Sequence, residues 1–268
     1  MPSATRVCVV GALGRMGEGV RAGLAREPGM RLSAALEAPG HPRLGEPIEG
    51  GAPLSDDPKA ALALCDVVID FSTPASTLRV LDAAATRAVP CIVGTTGFTA
   101  PERDRIAEFG RRIAVVVAPN FSVAVCVLTH LVREASKRLG PGYDAEILEL
   151  HHRAKRDAPS GTALRLAEAV AEGRGAAAGE ALVMTRAGET GARPPGAIGV
   201  QALRGGDNPG EHTVLFLGEG ERLELAHRAA TREHFVKGAL RAARWVVGRG
   251  PGIYAMDDVL GLRPDSVC

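Results

Sequence analysis

"RVCVVGALGRMG", running from Arg6 to Gly17, decides the fold. Arg6-Val-Cys-Val-Val10 is a continuous apolar run of the length of a buried strand. Gly11-x-x-Gly14-x-x-Gly17 follows at once, and helical spacing then runs from Glu18 to Arg26 until Pro28-Gly29 stops it. Arg31 to Glu37 reads as a second strand, which completes a βαβ unit. Small residues at such a turn let the backbone approach a pyrophosphate, whose charge then meets the helix N-terminus. Leu13 stands where the dinucleotide pattern usually has glycine, so a plain tight strand–helix turn is the competing reading. Arg15, inside the turn, can pair with phosphate.

Glu37 extends the argument. It ends the second strand twenty residues after Gly17, where an acid accepts hydrogen bonds from ribose hydroxyls and repels a 2′-phosphate. A solvated strand end is the alternative. Ala38 leaves no arginine directly beside the acid, which predicts NADH use at least equal to NADPH use. Arg43 can still reach round, so dual use stays open. Further apolar strands are predicted at 67–71, 89–93 and 113–117, with helices over 76–87 and 101–111. Continuous apolar strands alternating with helices predict a doubly wound α/β domain with a parallel sheet, a Rossmann-like fold. Ligands of such sheets bind beyond the strands' carboxyl ends. Those ends carry Asp70-Phe71-Ser72-Thr73-Pro74, Gly94-Thr95-Thr96-Gly97-Phe98 and Ala118-Pro119-Asn120-Phe121. Their small and hydroxylated residues can cradle the pyrophosphate and nicotinamide ribose, although ordinary turn chemistry explains any one alone.

The character changes after Asn120. Ser122 can cap a helix over 123–139, Asp144 to Leu150 reads as a strand, and 162–172 reads as a helix. A surface loop at 173–180, a strand within 181–185 and a long Gly/Pro-rich loop over 187–211 with a strand near 197–203 follow. A hairpin is predicted around Gly218-Glu-Gly220, and a helix over 231–248 can return to the first domain. The predicted organisation is a dinucleotide-binding domain at 1–122, an α+β substrate-binding and oligomerisation domain with a mixed or antiparallel sheet at 123–231, and a returning segment at 232–268. Thr213 to Leu217 carries apolar residues on both faces, which predicts a homo-oligomer built on this sheet.

Composition sets the outer bounds. Of 268 residues 46% are hydrophobic but only 3% aromatic, so aliphatic side chains must build the core. A net charge of +1 argues against nucleic acid or a membrane surface as the main partner. The five cysteines form no C-x-x-C pair, and Cys8, Cys65, Cys91, Cys126 and Cys268 read as reduced thiols of a cytoplasmic protein. The N-terminus passes straight into a strand without a signal segment, and no apolar run approaches the roughly 18 residues of a membrane span.

The near-neutral total makes "HHRAKRDAPSGTA", His151 to Ala163, stand out. Pro159-Ser160-Gly161-Thr162 sets up a helix N-terminus, whose free N–H groups and partial positive charge favour a carboxylate or phosphate. His151, His152 and Lys155 lie just upstream, so the stretch describes a pocket for a small anion with a proton donor at hand. A zinc site using the two histidines with Glu149 or Asp157 is a rival reading, but no further ligand motif completes it. A solvated basic loop is another.

"ELHHRAKRDAPSGTA" closely resembles the signature of the dihydrodipicolinate reductase (4-hydroxy-tetrahydrodipicolinate reductase) family. "GALGRMG", "VIDFSTP", "VGTTGF", "APNFSV", "GEHTVLF" and "GIYAMDDVL" extend the resemblance over nearly the whole chain. It implies hydride transfer from NADH or NADPH to a cyclic dicarboxylate, giving tetrahydrodipicolinate in lysine and diaminopimelate biosynthesis. It implies His151 as proton donor, Lys155 as its partner in catalysis and binding, and His152, Ser160, Gly161 and Thr162 as holders of the substrate carboxylates. It implies that Gly11, Ala12, Arg15, Met16, Glu37, Gly94, Thr95, Thr96 and Asn120 border the cofactor, with Phe121 nearby; Gly14, Gly17, Phe71 and Ala118 join them from the turn and strand ends read above, and no metal is implied. The family's usual state is a homotetramer joined through the second domain's sheet. Closure about hinges near 122 and 231 would bring cofactor and substrate together. Another oxidoreductase of small dicarboxylates or amino acids, or a non-catalytic NADH sensor, is the alternative; a sensor has no need of the His151/Lys155 pair.

Overall fold

The computed structural model of the chain describes residues 3–177, 179 and 181–262. Cys268 lies outside them. Two compact units divide the chain: one runs up to Val123 and resumes at Glu233, and the other spans Ala124–Arg232.

The first unit opens with β1 (Thr5–Val10), α1 (Arg15–Leu24) and β2 (Met30–Leu36). The first helix begins at Arg15, three residues earlier than its apolar spacing indicates, so Arg15, Met16 and Gly17 are helical rather than part of the turn. Then come β3 (Leu54–Ser55), α2 (Pro58–Leu62), β4 (Val67–Asp70), α3 (Pro74–Arg87), β5 (Cys91–Val93), α4 (Ala100–Gly110) and β6 (Ala114–Val117). Three helix starts are fixed by side-chain caps followed by proline: Asp57 before Pro58, Thr73 before Pro74, and Thr99 of a capping box with Glu102.

In the second unit α5 (Val123–Leu139) leads to β7 (Asp144–His151), α6 (Gly161–Gly173), β8 (Leu182–Val183), β9 (Ile198–Arg204), β10 (Glu211–Leu217) and β11 (Arg222–Arg228). Its sheet has the order β11-β10-β7-β9-β8. β10 pairs antiparallel with both β11 and β7, whereas β9 runs parallel to β7 and β8, so the sheet is mixed. Strand β7 alternates strictly: Ala145, Ile147, Glu149 and His151 are buried. The apolar members pack with Val200, Val214, Phe216 and the α6 residues Leu166 and Val170. The opposite face exposes Leu148 and Leu203.

The chain returns to the first unit through α7 (Glu233–Val246), β12 (Gly252–Tyr254) and α8 (Met256–Leu260). The first unit's sheet has seven strands in the order β12-β6-β5-β4-β1-β2-β3, and each pair is parallel. Cys8, Val10, Val68 and Val93 join one core with Leu62, Leu78, Leu81 and Phe109. The alternate residues Val7, Val9, Ile69 and Ile92 are equally buried on the other face, where α1 and α7 lie against the strands. Helix covers on both sides explain why these strands read as unbroken apolar runs. Glycines let α1 and α7 approach closely: a Cβ at Gly23 would come within 2.7 Å of Val236. No helix among the described residues is long and apolar enough to cross a membrane.

Candidate active site

Two constellations stand out, one on each unit. On the first, the β1–α1 turn is built to keep side chains away. Gly11 has φ +67°, and a Cβ there would meet the Phe71 carbonyl oxygen at 2.9 Å. A Cβ at Gly17 would overlap the Gly11 carbonyl oxygen and the Ala12 backbone. Gly14 is the N-cap of α1 and supplies no side-chain cap, so the first N–H groups of a ten-residue helix point toward the turn without an acceptor from that side chain. Arg21, almost fully buried, braces the turn from behind by donating to the Ala12 carbonyl oxygen at 2.9 Å and pairing with Glu49. In front, Glu37 accepts from the N–H groups of Leu13 and Ala38, each at 3.0 Å. A cleft of about 360 Å³ opens here, lined by Gly11, Gly14, Glu37, Phe71, Ser72 and Arg79 among others.

The neighbouring strand ends are held by a buried polar knot. Asp70, 1% exposed, accepts from the Ser72 N–H at 2.9 Å and the Ser72 hydroxyl at 2.6 Å. Thr95 accepts from the Ser72 N–H at 3.0 Å and shares a hydrogen bond with Thr77 at 2.9 Å. Burial raises the Asp70 pKa, and the hydrogen bonds from Ser72 and the threonines oppose the rise. The Phe71 ring lies over Gly94, where a Cβ would come within 2.7 Å of Cζ, and stacks edge-on against Phe121 at 5.7 Å.

On the second unit, Glu149 is the centre. It is fully buried on β7. Arg204, at the end of β9, donates to both of its oxygens at 2.8 Å. The Ser160 N–H donates to Oε1 at 3.0 Å, and His151 Nδ1 lies 2.5 Å from Oε2. Burial works to raise the Glu149 pKa, but Arg204, His151 and Ser160 overcome it and hold the carboxyl below the usual range. An ionised Glu149 only accepts, so His151 carries its proton on Nδ1 and leaves Nε2 free. Gly210, at φ +147°, passes beside that nitrogen, where a Cβ would come within 2.8 Å. Burial lowers the His151 pKa and outweighs the opposing pull of Glu149; the charges of Lys155 and Arg204 lower it further. The imidazole is therefore neutral at neutral pH.

His212, also buried, lies edge-on to His151 with ring centroids 5.2 Å apart. Its Nε2 is 3.0 Å from the Ser160 hydroxyl, which also accepts from the Ala163 N–H at 3.2 Å and so caps α6. Burial and the nearby His151 lower its pKa to about 4. Lys155 Nζ donates to both Asp157 oxygens at 2.9 Å. The peptide between Ala158 and Pro159 is cis. Among the described residues no three His, Cys, Asp or Glu side chains converge as a metal cage.

With this geometry in view, comparison with known proteins is decisive. Residues 5–121 match the family description "Dihydrodipicolinate reductase, N-terminus", and residues 124–260 match "Dihydrodipicolinate reductase, C-terminus". The chain belongs to the dihydrodipicolinate reductase family. It is 50% identical over 266 residues to the 4-hydroxy-tetrahydrodipicolinate reductase of Anaeromyxobacter dehalogenans, covering 97% of this chain and 98% of that protein. It is 47% identical to the reductase of the same name from Geobacter sulfurreducens, covering 97% and 100%. Among solved structures, the dipicolinate-bound dihydrodipicolinate reductase of Paenisporosarcina sp. TG-14 has the same fold, with a TM-score of 0.78 at 23% identity over 94% of this chain and 97% of that one.

For a chain of the dihydrodipicolinate reductase family, the placement of the expected site residues divides clearly. Gly11, Gly14, Glu37 and Phe71 line the first unit's cleft. Ala12 and Gly17 are buried and shape it, while Arg15 is exposed at the start of α1 with Met16 beside it. Gly94, Thr95, Ala118 and Phe121 support it from below: Thr95 is tied into the polar knot, the Ala118 N–H donates to Val93 at 3.1 Å, and Phe121 is fully buried. Thr96 is exposed, and Asn120 accepts from the Ser122 N–H at 2.8 Å. On the second unit His151 and Ser160 meet at Glu149, Lys155 pairs with Asp157, whose backbone carbonyl oxygen accepts from Arg204, and Gly161 and Thr162 open α6. The half-buried His152 donates its N–H to the Asn208 carbonyl oxygen at 2.8 Å. Arg43 is engaged with Glu46 at 2.8 Å and does not line the cleft, so it does not reach round to Glu37.

Arg204, His212 and Gly210 escape sequence reasoning. Glu149 enters it only as a zinc helper. A signal for Glu149 does exist: it occupies an inward position of the alternating strand β7, two residues before His151. An acid there must find partners, and His151 on the same face is the first candidate.

Proposed function

We propose that this chain reduces a small cyclic dicarboxylate, 4-hydroxy-tetrahydrodipicolinate with loss of water or its dehydrated form directly, to tetrahydrodipicolinate with NADH or NADPH, a step of lysine and diaminopimelate biosynthesis. The observation that carries the reading is the buried Glu149–His151 pair beside the start of α6 in a chain of this family. The first unit suits a dinucleotide: Gly11 and Gly17 admit no side chain, α1 lacks a side-chain cap, and Glu37 faces the same cleft. When bound, the reduced nicotinamide supplies the hydride.

The second unit's residues do the rest. The N-terminus of α6 and the Gly161 and Thr162 N–H groups favour one carboxylate of the substrate. Lys155 exchanges its Asp157 partner for the other. His151 is neutral in the free protein. A dianion beside it raises its affinity for a proton, and Glu149 steadies the resulting cation through Nδ1. Nε2 then delivers the proton to the ring as the hydride arrives. Glu149 acts as a positioning residue, fixing tautomer and ring orientation, and Arg204 keeps it ionised.

The outer face of the second unit's sheet carries Leu148 at 41% and Leu203 at 48% exposure, with Leu215 in line. We infer that further copies of the chain cover it in a homotetramer. Arg193 of the long loop and Arg186 just before it pair with Glu146 on that face, at 3.0 and 2.8 Å, which suits an edge cover rather than a lid. Four cysteines among the described residues form no disulfide, three of them buried, which suits a reducing cytoplasm.

The test is oxidation of NADH, and of NADPH in parallel, coupled to the product of the synthase that makes the dicarboxylate. Lys155→Ala should cut turnover about 10²-fold or more with NADH binding intact. Lost NADH affinity with unchanged turnover per bound complex would overturn the assignment. Because the proton donor must be charged, kcat/KM should fall with rising pH from below the ordinary histidine value. The fall in kcat should come at higher pH, since the bound dianion favours the cation.

A further inference from the structure

Glu37 poses a problem for one of the two dinucleotides. Its carboxylate oxygens accept from the N–H groups of Leu13 and Ala38, both at 3.0 Å, so two backbone donors hold the charge against the cleft. A 2′-phosphate on the adenosine ribose would arrive beside it and needs a cation. Ala38 supplies none, and Arg43 is already bound to Glu46 at 2.8 Å. Arg15 does not line the cleft.

Arg79 does. It comes from the second turn of α3, whose start is fixed by the Thr73 cap and Pro74. It lines the same cleft as Glu37, Ala38 and Pro39. Its guanidinium donates only to a neutral acceptor, the Asp56 carbonyl oxygen, at a long 3.3 Å, and no carboxylate pairs with it among the described residues. An arginine with an unspent charge and a planar fork of donors, facing a cleft built for a nucleotide, matches a phosphate.

We propose that Arg79 is the specificity residue that accepts the 2′-phosphate of NADPH, so that this chain takes NADPH as well as NADH despite the acid at Glu37. This rests on reading the first unit as the dinucleotide site. The position is six residues beyond Thr73, on a helix rather than on the strand-end loop where the charge-selecting residues of such folds are ordinarily sought.

The experiment is calorimetric binding to the full-length protein, with 2′,5′-ADP and 5′-ADP as probes alongside NADPH and NADH. Charge-assisted hydrogen bonds of this kind set the expected size. Arg79→Ala and Arg79→Gln should weaken 2′,5′-ADP and NADPH about 10- to 100-fold. Both should leave 5′-ADP and NADH within about threefold. Arg79→Lys, which keeps the charge, should recover most of the loss. Equal losses for both probe classes would mean that Arg79 stacks on the adenine and would overturn the proposal, as would no loss at all. Wild-type protein that binds NADH but not NADPH would overturn it too. Failure of the wild type to bind either dinucleotide would instead overturn the reading of the first unit, and this inference with it.

Discussion

Replacing Glu149 with glutamine tests the centre of the second unit. The side chain keeps its shape but loses its charge and one acceptor. In the native protein two Arg204 nitrogens at 2.8 Å, the Ser160 N–H at 3.0 Å and His151 at 2.5 Å share two oxygens. An amide nitrogen in place of either oxygen would confront an Arg204 donor, and in place of Oε2 it would also confront the Nδ1 proton of His151. The imidazole then turns or shifts its proton to Nε2, and the orientation needed for proton delivery is lost. Loss of the correct tautomer costs up to about 10⁴ in turnover where it has been isolated, so a fall of about 10²- to 10⁴-fold in kcat is expected. Stability should fall as well, because Arg204 is left without its counter-charge. Breaking a buried pair costs about 3–5 kcal/mol, but the Arg204 side chain is 21% exposed. A loss of about 2–3 kcal/mol in urea denaturation is therefore expected. The double variant Glu149→Gln/Arg204→Met removes both charges and separates the two effects. It should regain part of the stability and none of the turnover, with NADH affinity unchanged throughout. A folded Glu149→Gln protein that retains more than a third of wild-type kcat would refute the positioning role. So would turnover that returns in the double variant.

Three further outcomes follow from the geometry. Gly17→Ala places a methyl on the Gly11 carbonyl oxygen, so it should cost about 3 kcal/mol of stability and abolish measurable NADH fluorescence enhancement. Ser160→Ala removes the α6 cap and the partner of His212 Nε2 together, and urea melts should show a loss of about 2 kcal/mol. His212 is a base whose folded pKa of about 4 lies under its ordinary 6.5, so protonation favours the unfolded chain. Its contribution is complete above pH 6.5 and is lost as pH falls toward 4, by up to about 3 kcal/mol; His212→Gln should remove at least half of the melting-temperature drop between pH 7.5 and 5.

Much of the fold is legible because the first unit's strands are continuous apolar runs punctuated by glycine and proline. The βαβ opening, strands β4 to β6 and helices α3 and α4 all follow from that alternation. β3, α2, β12 and α8 do not. Each has five residues or fewer, too short for either period to register. β12 also lies beside Gly250-Pro251, a stretch that reads as a turn. The start of α1 is displaced because Gly14, Arg15 and Gly17 carry no apolar spacing even though the backbone is already helical at Arg15. In the second unit, His151, Lys155 and Ser160 announce themselves by crowding into one short stretch. Arg204, which holds Glu149, and His212, which meets Ser160, arrive from strands more than forty residues later, and only register pairing brings them near. His151 opposes Arg204 across β7 and β9, and Glu149 opposes His212 across β7 and β10. No local pattern encodes such pairings.

The return of the chain through β12 has a bearing on biosynthesis. The nucleotide-binding sheet is interrupted in sequence and completed only by residues near 254, whereas everything between Ala124 and Arg232 has already been synthesised by then. Nascent chains that end at Arg232 and are tethered through an unstructured linker long enough to fill the exit tunnel should thus expose every strand of the inserted unit while their host still lacks an edge strand and the helix that covers α1. Protease protection should appear first in the insert, and dinucleotide affinity last.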